Sequence, residues 1–186
     1  MKYTKMVLRE SLIEILQEKP IQRVSVTEVC KAAPINRGTF YAHYADVYAL
    51  LSQIEGELFD ELERAIAAGE DTDDFDRVVR GIITVIARNR EVCRVILGEN
   101  GRPQFVARIL EMARGCYHRS WACRAGVCAD AAEDIFRFLS AGSMEVLRRW
   151  MQKEDRRSQD EIARIISEIS KSIIAACLIR ADAAGI

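Results

Sequence analysis

Hydrogen-bond donors are concentrated in residues 36–44, the stretch NRGTFYAHY. Arg37 carries a guanidinium, Thr39 a hydroxyl and Tyr41 a phenol, and each donates hydrogen bonds to anionic or carbonyl oxygens. Gly38 has no side chain, so a ligand can come close to the backbone there. Donors of these types on successive helical turns suit the phosphates and base edges of a nucleic acid.

Two short helices joined by a tight turn must position these donors. Ser25, followed three residues later by Glu28, predicts a capping box at the start of the first helix. Pro34 ends that helix because it lacks the N–H and displaces the preceding residue from helical dihedrals. Asn36 predicts an N-cap for a second helix from Arg37. The pattern therefore indicates a helix-turn-helix.

The same stretch resembles the DNA-binding head of the TetR family of transcriptional regulators. The resemblance rests on the core from Thr27 to Ala33, on Arg37-Gly38-Thr39-Phe40-Tyr41, on His43-Tyr44 and on Leu50-Leu51. It covers roughly a quarter of the chain, and the remainder resembles the family in length and helical organisation. It implies that the second helix enters the major groove of double-stranded DNA. The DNA contacts that it implies come from Thr27, Asn36, Arg37, Gly38, Thr39, Tyr41, His43 and Tyr44.

Some of these residues have a second interpretation. Arg37 is the only long basic donor on the second helix, and it suits either a guanine or a phosphate. Tyr44 fits a backbone contact and packing of the head equally well, whereas Phe40 is expected to pack inward. His43 is compatible with a DNA contact and with a surface histidine that has no DNA role.

Two positions depart from the family pattern. Pro34 stands at a turn position where the family usually has glycine, so the crossing angle of the two helices is expected to differ. Val47 stands where many members have a lysine at the start of the fourth helix, so one phosphate contact is expected to be absent.

Apolar periodicity predicts an all-α protein of about nine helices. Together with the resemblance it predicts a TetR-like fold, with a three-helix DNA-binding head over residues 1–46 and a helical regulatory and dimerisation domain over residues 47–186. The first helix is expected at roughly 3–18, and the next two form the pair within 25–44. The remaining six are expected at about 46–67, 75–89, 91–97, 103–121, 129–152 and 159–182.

Charge and composition exclude several classes of protein. Residues 1–45 contain seven basic and four acidic side chains, while the other 141 contain twenty basic and twenty-four acidic ones, so the head is the part suited to a polyanion. No apolar run approaches the ~18 residues needed to cross a bilayer, and the N-terminus lacks the core of a signal peptide, which predicts a cytoplasmic protein without a membrane partner. With two histidines and no phosphate-binding loop, we expect no enzyme activity and no cofactor.

Six cysteines need separate consideration, at positions 30, 93, 116, 123, 128 and 177. None forms a C-x-x-C pair, so a disulfide framework is not expected. Cys116, His118, Cys123 and Cys128 are clustered in sequence, which leaves a thiol or metal sensor open, although their spacing matches no usual zinc pattern. We therefore predict no metal site.

The family resemblance implies a small-molecule effector pocket in the body and a homodimer. Pocket positions are expected among the helices at 75–88, 103–121 and 129–150, at Ile86, Phe105, Ile109, Met112, Tyr117 and Phe136. The last two helices carry apolar stripes that either form a hairpin within one chain or pair with a second subunit. The expected interface positions are Ile135, Leu139, Val146, Trp150, Ile162, Ile166, Ile169 and Ile173.

These features lead to two functional hypotheses. The first is a sequence-specific regulator, a repressor that a ligand releases from a pseudo-palindromic operator. The second is a helical dimer that binds a protein partner or a ligand without specific DNA binding, and Pro34 and Val47 are the residues that favour it.

Overall fold

The computed structural model of the protein describes residues 2–70, 74–98, 102–118, 129–152 and 155–184. Within these ranges the backbone forms nine α-helices and one 3₁₀ turn, with no strand, which confirms the all-α prediction. The helices are α1 (Lys2–Leu16), α2 (Val26–Ala32), α3 (Arg37–Tyr41), α4 (Val47–Glu70), α5 (Phe75–Arg88), α6 (Arg90–Ile96), α7 (Pro103–Tyr117), α8 (Ala129–Trp150) and α9 (Gln159–Ala184), and the 3₁₀ turn is Ile21–Arg23.

The helix starts follow the capping signals in the sequence. Ser25 and Glu28 form the predicted capping box at α2, and Asn36 is the N-cap of α3. At α9, the backbone N–H of Ser158 donates to the Glu161 carboxylate (2.7 Å), and the Glu161 N–H donates to the Ser158 hydroxyl (3.2 Å). Each cap satisfies amide groups that have no partner inside the helix.

One helix end in the head differs from the predicted one, and the end of another helix lies outside the described residues. Helix α1 ends at Leu16 rather than near residue 18, because the next two amides donate to carbonyls three residues back and tighten the last turn. The 3₁₀ turn that follows was not predicted. Helix α7 is described as far as Tyr117, and the predicted extension towards residue 121 falls within residues 119–128, which are not described.

The predicted break after α4 begins later than the sequence pattern indicates. The helix was expected to end near residue 67, which places Gly69 in the loop before the next expected helix, but Gly69 is helical and buried, and α4 continues to Glu70. A Cβ at Gly69 would stand 2.8 Å from the backbone nitrogen of Val78 and 2.9 Å from its Cα. The glycine therefore lets the first turn of α5 pass close to the end of α4, and it is present for packing rather than for a turn.

The chain divides into two compact units. The first unit comprises residues 1–60 and 89–106, and the second comprises residues 61–88 and 107–186. Helices α4 and α7 each contribute residues to both units. The predicted division at residues 46 and 47 concerns function and stays a prediction.

In the first unit, α1 packs against α2 and α6, and α2 packs against α3. Its core consists mainly of aliphatic side chains at helical spacing, which is the arrangement that the apolar stripes of α1 and α4 predict, and it includes four buried aromatic side chains, Phe40, Tyr44, Phe59 and Phe105. The residues with at most 2% of their surface exposed are Leu8, Leu12, Leu16, Val29, Ala33, Phe40, Leu50, Ile54, Leu58, Cys93 and Ile96.

One carboxylate of the first unit is buried in an ion pair. Glu55, on α4, is 8% exposed, and its Oε2 accepts a hydrogen bond from Nη1 of Arg102 at 2.9 Å. Burial raises the pKa of Glu55, and the positive charge of Arg102 opposes that shift. The backbone carbonyl of Arg102 also accepts the first hydrogen bonds of α7, from Phe105 and Val106. The ion pair thus attaches the start of α7 to the middle of α4.

In the second unit, α9 packs along α5 and beside α8. One buried cluster joins Ile66, Val78 and Cys116, and a second joins Tyr117 and Ala132. Among the described residues, no helix is both long and apolar enough to cross a bilayer.

Candidate nucleic-acid interface

Helix α2 begins in a network of three side chains. The Ser25 hydroxyl accepts from the Glu28 backbone N–H (3.3 Å), and the Glu28 carboxylate accepts from the Ser25 N–H (2.9 Å). Lys19 forms an ion pair with the same carboxylate. The hydrogen bond from Lys19, followed by those from Ser25, lowers the pKa of Glu28 to about 2. The charge of Lys19 is therefore neutralised within the chain.

Helix α3 is held by one cap and one buried ring. The Oδ1 of Asn36 accepts from the backbone N–H of Thr39 (2.8 Å) and from its hydroxyl (3.1 Å). Phe40 is fully buried and anchors the helix against the rest of the first unit. The cap uses the carbonyl oxygen of Asn36, so the amide nitrogen of this side chain stays available as a donor.

Gly38 occupies an open position on α3. A Cβ built there would meet a single atom outside its own helix backbone within 4 Å, Oδ1 of Asn36 at 3.2 Å. A Cβ at this position would therefore press only on the capping side chain of Asn36, whereas at Gly69 it would meet the backbone of Val78. The absent side chain leaves the first turn of α3 accessible from outside.

The eight predicted DNA-contact residues fall into three groups by exposure. Asn36, Arg37, Gly38 and Tyr41 are exposed, and Tyr41 is 57% exposed. Thr27, Thr39 and His43 are half-buried. All seven lie on α2, on α3 or within two residues of them, so the fold brings them to one helix-turn-helix.

Tyr44 forms the third group alone. It is 6% exposed, and its ring centroid lies 5.9 Å from that of Phe40. Burial is the main cause that raises the pKa of its phenol. This environment is that of a packing residue, the second of the two interpretations that the sequence left open.

The turn between α2 and α3 has the hydrogen bond of a Schellman motif. The backbone N–H of Ile35 donates to the carbonyl of Cys30 at 3.1 Å, a bond that spans the end of α2. This motif needs a left-handed residue at the position that Pro34 occupies, and Pro34 has φ 21°. The proline ring prefers φ near −65° and supplies no N–H, so the turn is strained and lacks the second bond of the motif.

Ion pairing separates the basic residues of the first unit into two groups. Arg9 pairs with Glu57 at 2.6 Å, Arg94 pairs with Glu91 at 2.7 Å, and Lys19 and Arg102 pair as described above. Arg23, Lys31 and Arg37 are exposed and have no acidic partner among the described residues. Arg37 was predicted to contact DNA whereas Arg23 and Lys31 were not, because ion pairing cannot be read from composition.

The predicted pocket residues do not form a single group. The Tyr117 and Phe136 rings are 5.6 Å apart, and Met112 packs against the cluster of Ile66, Val78 and Cys116. Ile86 is buried and Ile109 half-buried in the second unit, whereas the buried Phe105 belongs to the first unit.

The predicted interface residues also divide by burial. Trp150 and Ile162 are buried within a single chain, as is Ile166, and the indole N–H of Trp150 donates to the Arg157 carbonyl at 2.8 Å. The others are half-buried or exposed: Ile135, Leu139, Val146, Ile169 and Ile173. On α8, Phe138 is 68% exposed, and on α9, Ile169 is 53% exposed.

The cysteine cluster is described only in part. Cys116 is buried in the second unit, and Nε2 of His118 lies 3.4 Å from the Glu133 carboxylate, which also pairs with Arg137. Cys123 and Cys128 lie outside the described residues. Within the described ranges, no three or more His, Cys, Asp or Glu side chains are grouped to hold a metal ion.

A family model for the C-terminal region of TetR-type transcriptional regulators matches residues 73–172. The chain belongs to the TetR family. The match covers more than half of the chain and lies in the part where the sequence resemblance was weakest. The protein is therefore a transcriptional regulator of the TetR family.

Individual relatives are distant. Over 59 residues the chain is 24% identical to YxbF, an uncharacterized HTH-type transcriptional regulator of Bacillus subtilis. That segment is 32% of this chain but spans only 16% of YxbF.

Solved structures of TetR-family members share the fold. A Syntrophomonas wolfei protein assigned to the family is 15% identical, with a TM-score of 0.71 over 94% of this chain and 96% of that one. A Thermus thermophilus FadR, described as a TetR-family repressor in complex with lauroyl-CoA, is 20% identical, with a TM-score of 0.52 over 89% and 92% of the two chains. At these identities the similarity shows the fold alone.

Proposed function

We propose that this TetR-family regulator is a homodimeric repressor that binds a pseudo-palindromic operator in double-stranded DNA. Residues 1–46 serve as the DNA-binding head, and residues 47–186 serve for regulation and dimerisation. The observation that carries the proposal is the exposed first turn of α3, where Arg37 has no acidic partner among the described residues and a Cβ at Gly38 would meet only the Asn36 Oδ1.

The geometry of α3 supports a division of roles among its residues. Arg37 reads a base edge or a phosphate, and Thr39 offers a hydroxyl and a methyl group to a neighbouring position. Tyr41 and His43, with Thr27 on α2, hold the sugar-phosphate backbone and fix the register. Asn36 donates through its amide nitrogen, because its oxygen caps the helix. Tyr44 acts indirectly, by packing against the ring of Phe40 behind α3.

Dimerisation follows from the apolar side chains that α8 and α9 leave exposed. Phe138 and Ile169 are the large ones, and Ile135, Leu139, Val146 and Ile173 flank them on the same two helices. Pairing with a second subunit would cover this surface, and a two-fold axis would give two heads that meet adjacent major grooves about one helical turn apart. Trp150, Ile162 and Ile166 then support the interface from within each chain.

Release by a small molecule is the regulatory part of the proposal. An apolar ligand would bind in the second unit among Ile86, Ile109, Met112, Tyr117 and Phe136. The FadR relative, which is described in complex with lauroyl-CoA, supports an effector that carries an apolar acyl chain. A ligand needs only a few kcal/mol of preference for the conformation that does not fit the operator to lower its occupancy.

The proposal is tested by selection from a pool of random duplexes with the purified protein. We expect an inverted repeat to be enriched and the dimer to bind it. Arg37→Ala should then weaken operator binding by about 1–3 kcal/mol and relax the preference at one position of each half-site. Equal weakening on every duplex would instead make Arg37 a phosphate contact.

Failure of the selection would contradict the proposal. If the wild type enriches no motif and Arg37→Ala changes nothing, the protein is a helical dimer that binds a protein partner or a ligand. Addition of lauroyl-CoA to the operator complex tests the regulatory part separately, since release requires an effector whereas selection does not.

A further inference from the structure

Three cations around the helix-turn-helix lack an acidic partner in the described part of the chain, and they are Arg23, Lys31 and Arg37. Four other cations of the first unit, Arg9, Lys19, Arg94 and Arg102, form ion pairs with carboxylates. A cation that is already paired gains little from a phosphate, because its charge is compensated. An unpaired, exposed cation gains the full attraction and releases a counterion from the DNA.

Arg23 lies on the exposed side of the short segment that leads into α2. Val24 and Ser25 have extended dihedrals, so consecutive side chains alternate between two sides. Val24 is buried, and Arg23 and Ser25 are exposed. Arg23 is therefore on the exposed side of this segment, two residues before the N-cap of α2.

Lys31 shares a helical face with a residue already expected at the DNA. It follows Thr27 by four positions on α2, and side chains at that spacing are neighbours on one face. The opposite face is occupied by Val29 and Cys30, which are buried. Arg37 follows the last residue of α2 by five positions and begins α3, which packs against α2. Two uncompensated cations thus stand near the end of α2.

We propose that Arg23 and Lys31 bind phosphates of the DNA backbone, at the two ends of α2, and supply a sequence-independent attraction between the head and the duplex. Val47, at the start of α4, adds no such attraction, because it is apolar and buried. The inference rests on the proposed function, since it names contacts of the same interface.

Salt titration separates these contacts from base contacts. Each phosphate contact contributes about 0.9 to the slope of log K against log salt, and a dimer with the substitution in both heads loses two contacts. The slope is negative, and we expect Arg23→Gln and Lys31→Gln each to reduce its magnitude by about 1.8. If the titrations converge at 1 M salt, affinity at 0.15 M falls about 30-fold. The loss should be equal for the selected operator and for random duplexes, so specificity stays unchanged.

Two matched variants control for charge. Arg156→Gln removes an exposed cation of the second unit that has no ion pair among the described residues, and Lys19→Gln removes a paired cation of the first unit. Both control variants should reduce the magnitude of the slope by less than half of the change expected for Arg23→Gln or Lys31→Gln. The melting temperatures of the Arg23 and Lys31 variants should equal that of the wild type, because both side chains are exposed.

Unchanged slopes in both variants, with the wild type still selecting its operator, would overturn the inference and leave the proposed function intact. Wild-type binding that selects no motif, combined with reduced slopes in the variants, would overturn the proposed function and support the phosphate contacts. Absence of duplex binding at every salt concentration would overturn both.

Discussion

The two units expose different chemistry. In the first unit, Arg23, Lys31 and Arg37 are exposed around α2 and α3 without an acidic partner among the described residues, and its most exposed large apolar side chains are Tyr3 and Tyr41, whose rings carry a hydroxyl. In the second unit, Lys171 and Arg164 pair with carboxylates, although Arg156 has no ion pair in the described part of the chain, and the exposed large apolar side chains are those of Phe138 and Ile169, which carry no polar group. The difference indicates two kinds of partner. Uncompensated charge is exposed where a polyanion binds, and apolar surface is exposed where another protein binds.

The largest effect is expected where the comparison assigns a protein partner. In the double variant Phe138→Asp with Ile169→Asp, two carboxylates would be buried without a partner in the dimer interface, and the dissociation constant should rise roughly a thousandfold, about 4 kcal/mol. Sedimentation velocity across a dilution series measures this. Tyr3→Asp, at an exposed aromatic residue of the first unit, is the control and should leave the dimer intact. A double variant that remains dimeric at nanomolar concentration would remove the basis for the comparison.

The next effect concerns ion pairs that differ between the units. Arg102→Met leaves Glu55 buried without its partner and should lower the free energy of unfolding by about 2–3 kcal/mol at pH 7. This is less than for a fully buried pair, because Arg102 is partly exposed. Lys171→Met breaks the exposed pair with Asp76 in the second unit and should cost under about 1 kcal/mol.

The pH dependence gives the Arg102 prediction a sign. Burial raises the pKa of Glu55, so the folded state disfavours its charge, and removal of Arg102 raises the pKa of Glu55 further. The buried charge of Glu55 destabilises the folded state at pH values above the folded-state pKa of Glu55. This destabilisation is relieved as the pH falls through that pKa towards 4.5. Chemical denaturation at pH 7 and at pH 5 should therefore show a smaller loss at the lower pH. A loss that grows on acidification would contradict this assignment, and a Glu55→Met/Arg102→Met pair should restore stability.

A smaller effect tests whether the exposed first turn of α3 contacts DNA. Gly38→Ala should change the melting temperature little, because the gain from alanine in a helix is offset by its Cβ standing 3.2 Å from the Asn36 Oδ1 that caps α3. It should weaken operator binding by about tenfold, or about 1.4 kcal/mol, because the methyl group keeps the helix from the DNA. Gly56→Ala is the matched control, since nothing lies within 4 Å of its added Cβ and it is half-buried on α4 of the first unit. Equal DNA affinity for both variants would show that α3 does not approach DNA at Gly38.

The sequence predicted most of the fold and the location of the candidate site. Helix starts at Ser25, Asn36 and Ser158 followed from local capping, which depends on residues three positions apart. Gly69 was placed in a loop because its contact with Val78 joins residues of different helices, and no local pattern reports such a contact. The burial of Trp150 was unpredictable for the same reason, since the apolar stripe of α8 does not show which part a neighbouring helix covers.

The candidate site was predicted by residue type but not by charge compensation. The basic residues near α2 and α3 look equivalent in the sequence. Only the fold shows that Lys19 is neutralised by Glu28, whereas Lys31 has no acidic partner among the described residues. Tyr44 was left open between two interpretations for a similar reason, because a tyrosine one turn beyond Phe40 can face either way until the helices are packed.

The smallest effect concerns Pro34, the residue by which this head departs most from its family. Pro34→Gly removes the strain at φ 21°, since glycine adopts positive φ without a steric cost, and it restores an N–H that can complete the Schellman motif. The gain is offset in part by the greater backbone freedom of glycine when unfolded, so we expect a net increase of about 1 kcal/mol in unfolding free energy. Urea denaturation measures it, with Pro103→Gly at the start of α7 as the control that should destabilise. If Pro34→Gly is as destabilising as Pro103→Gly, the turn is not strained, and the proline then fits the head as well as the glycine of its relatives does.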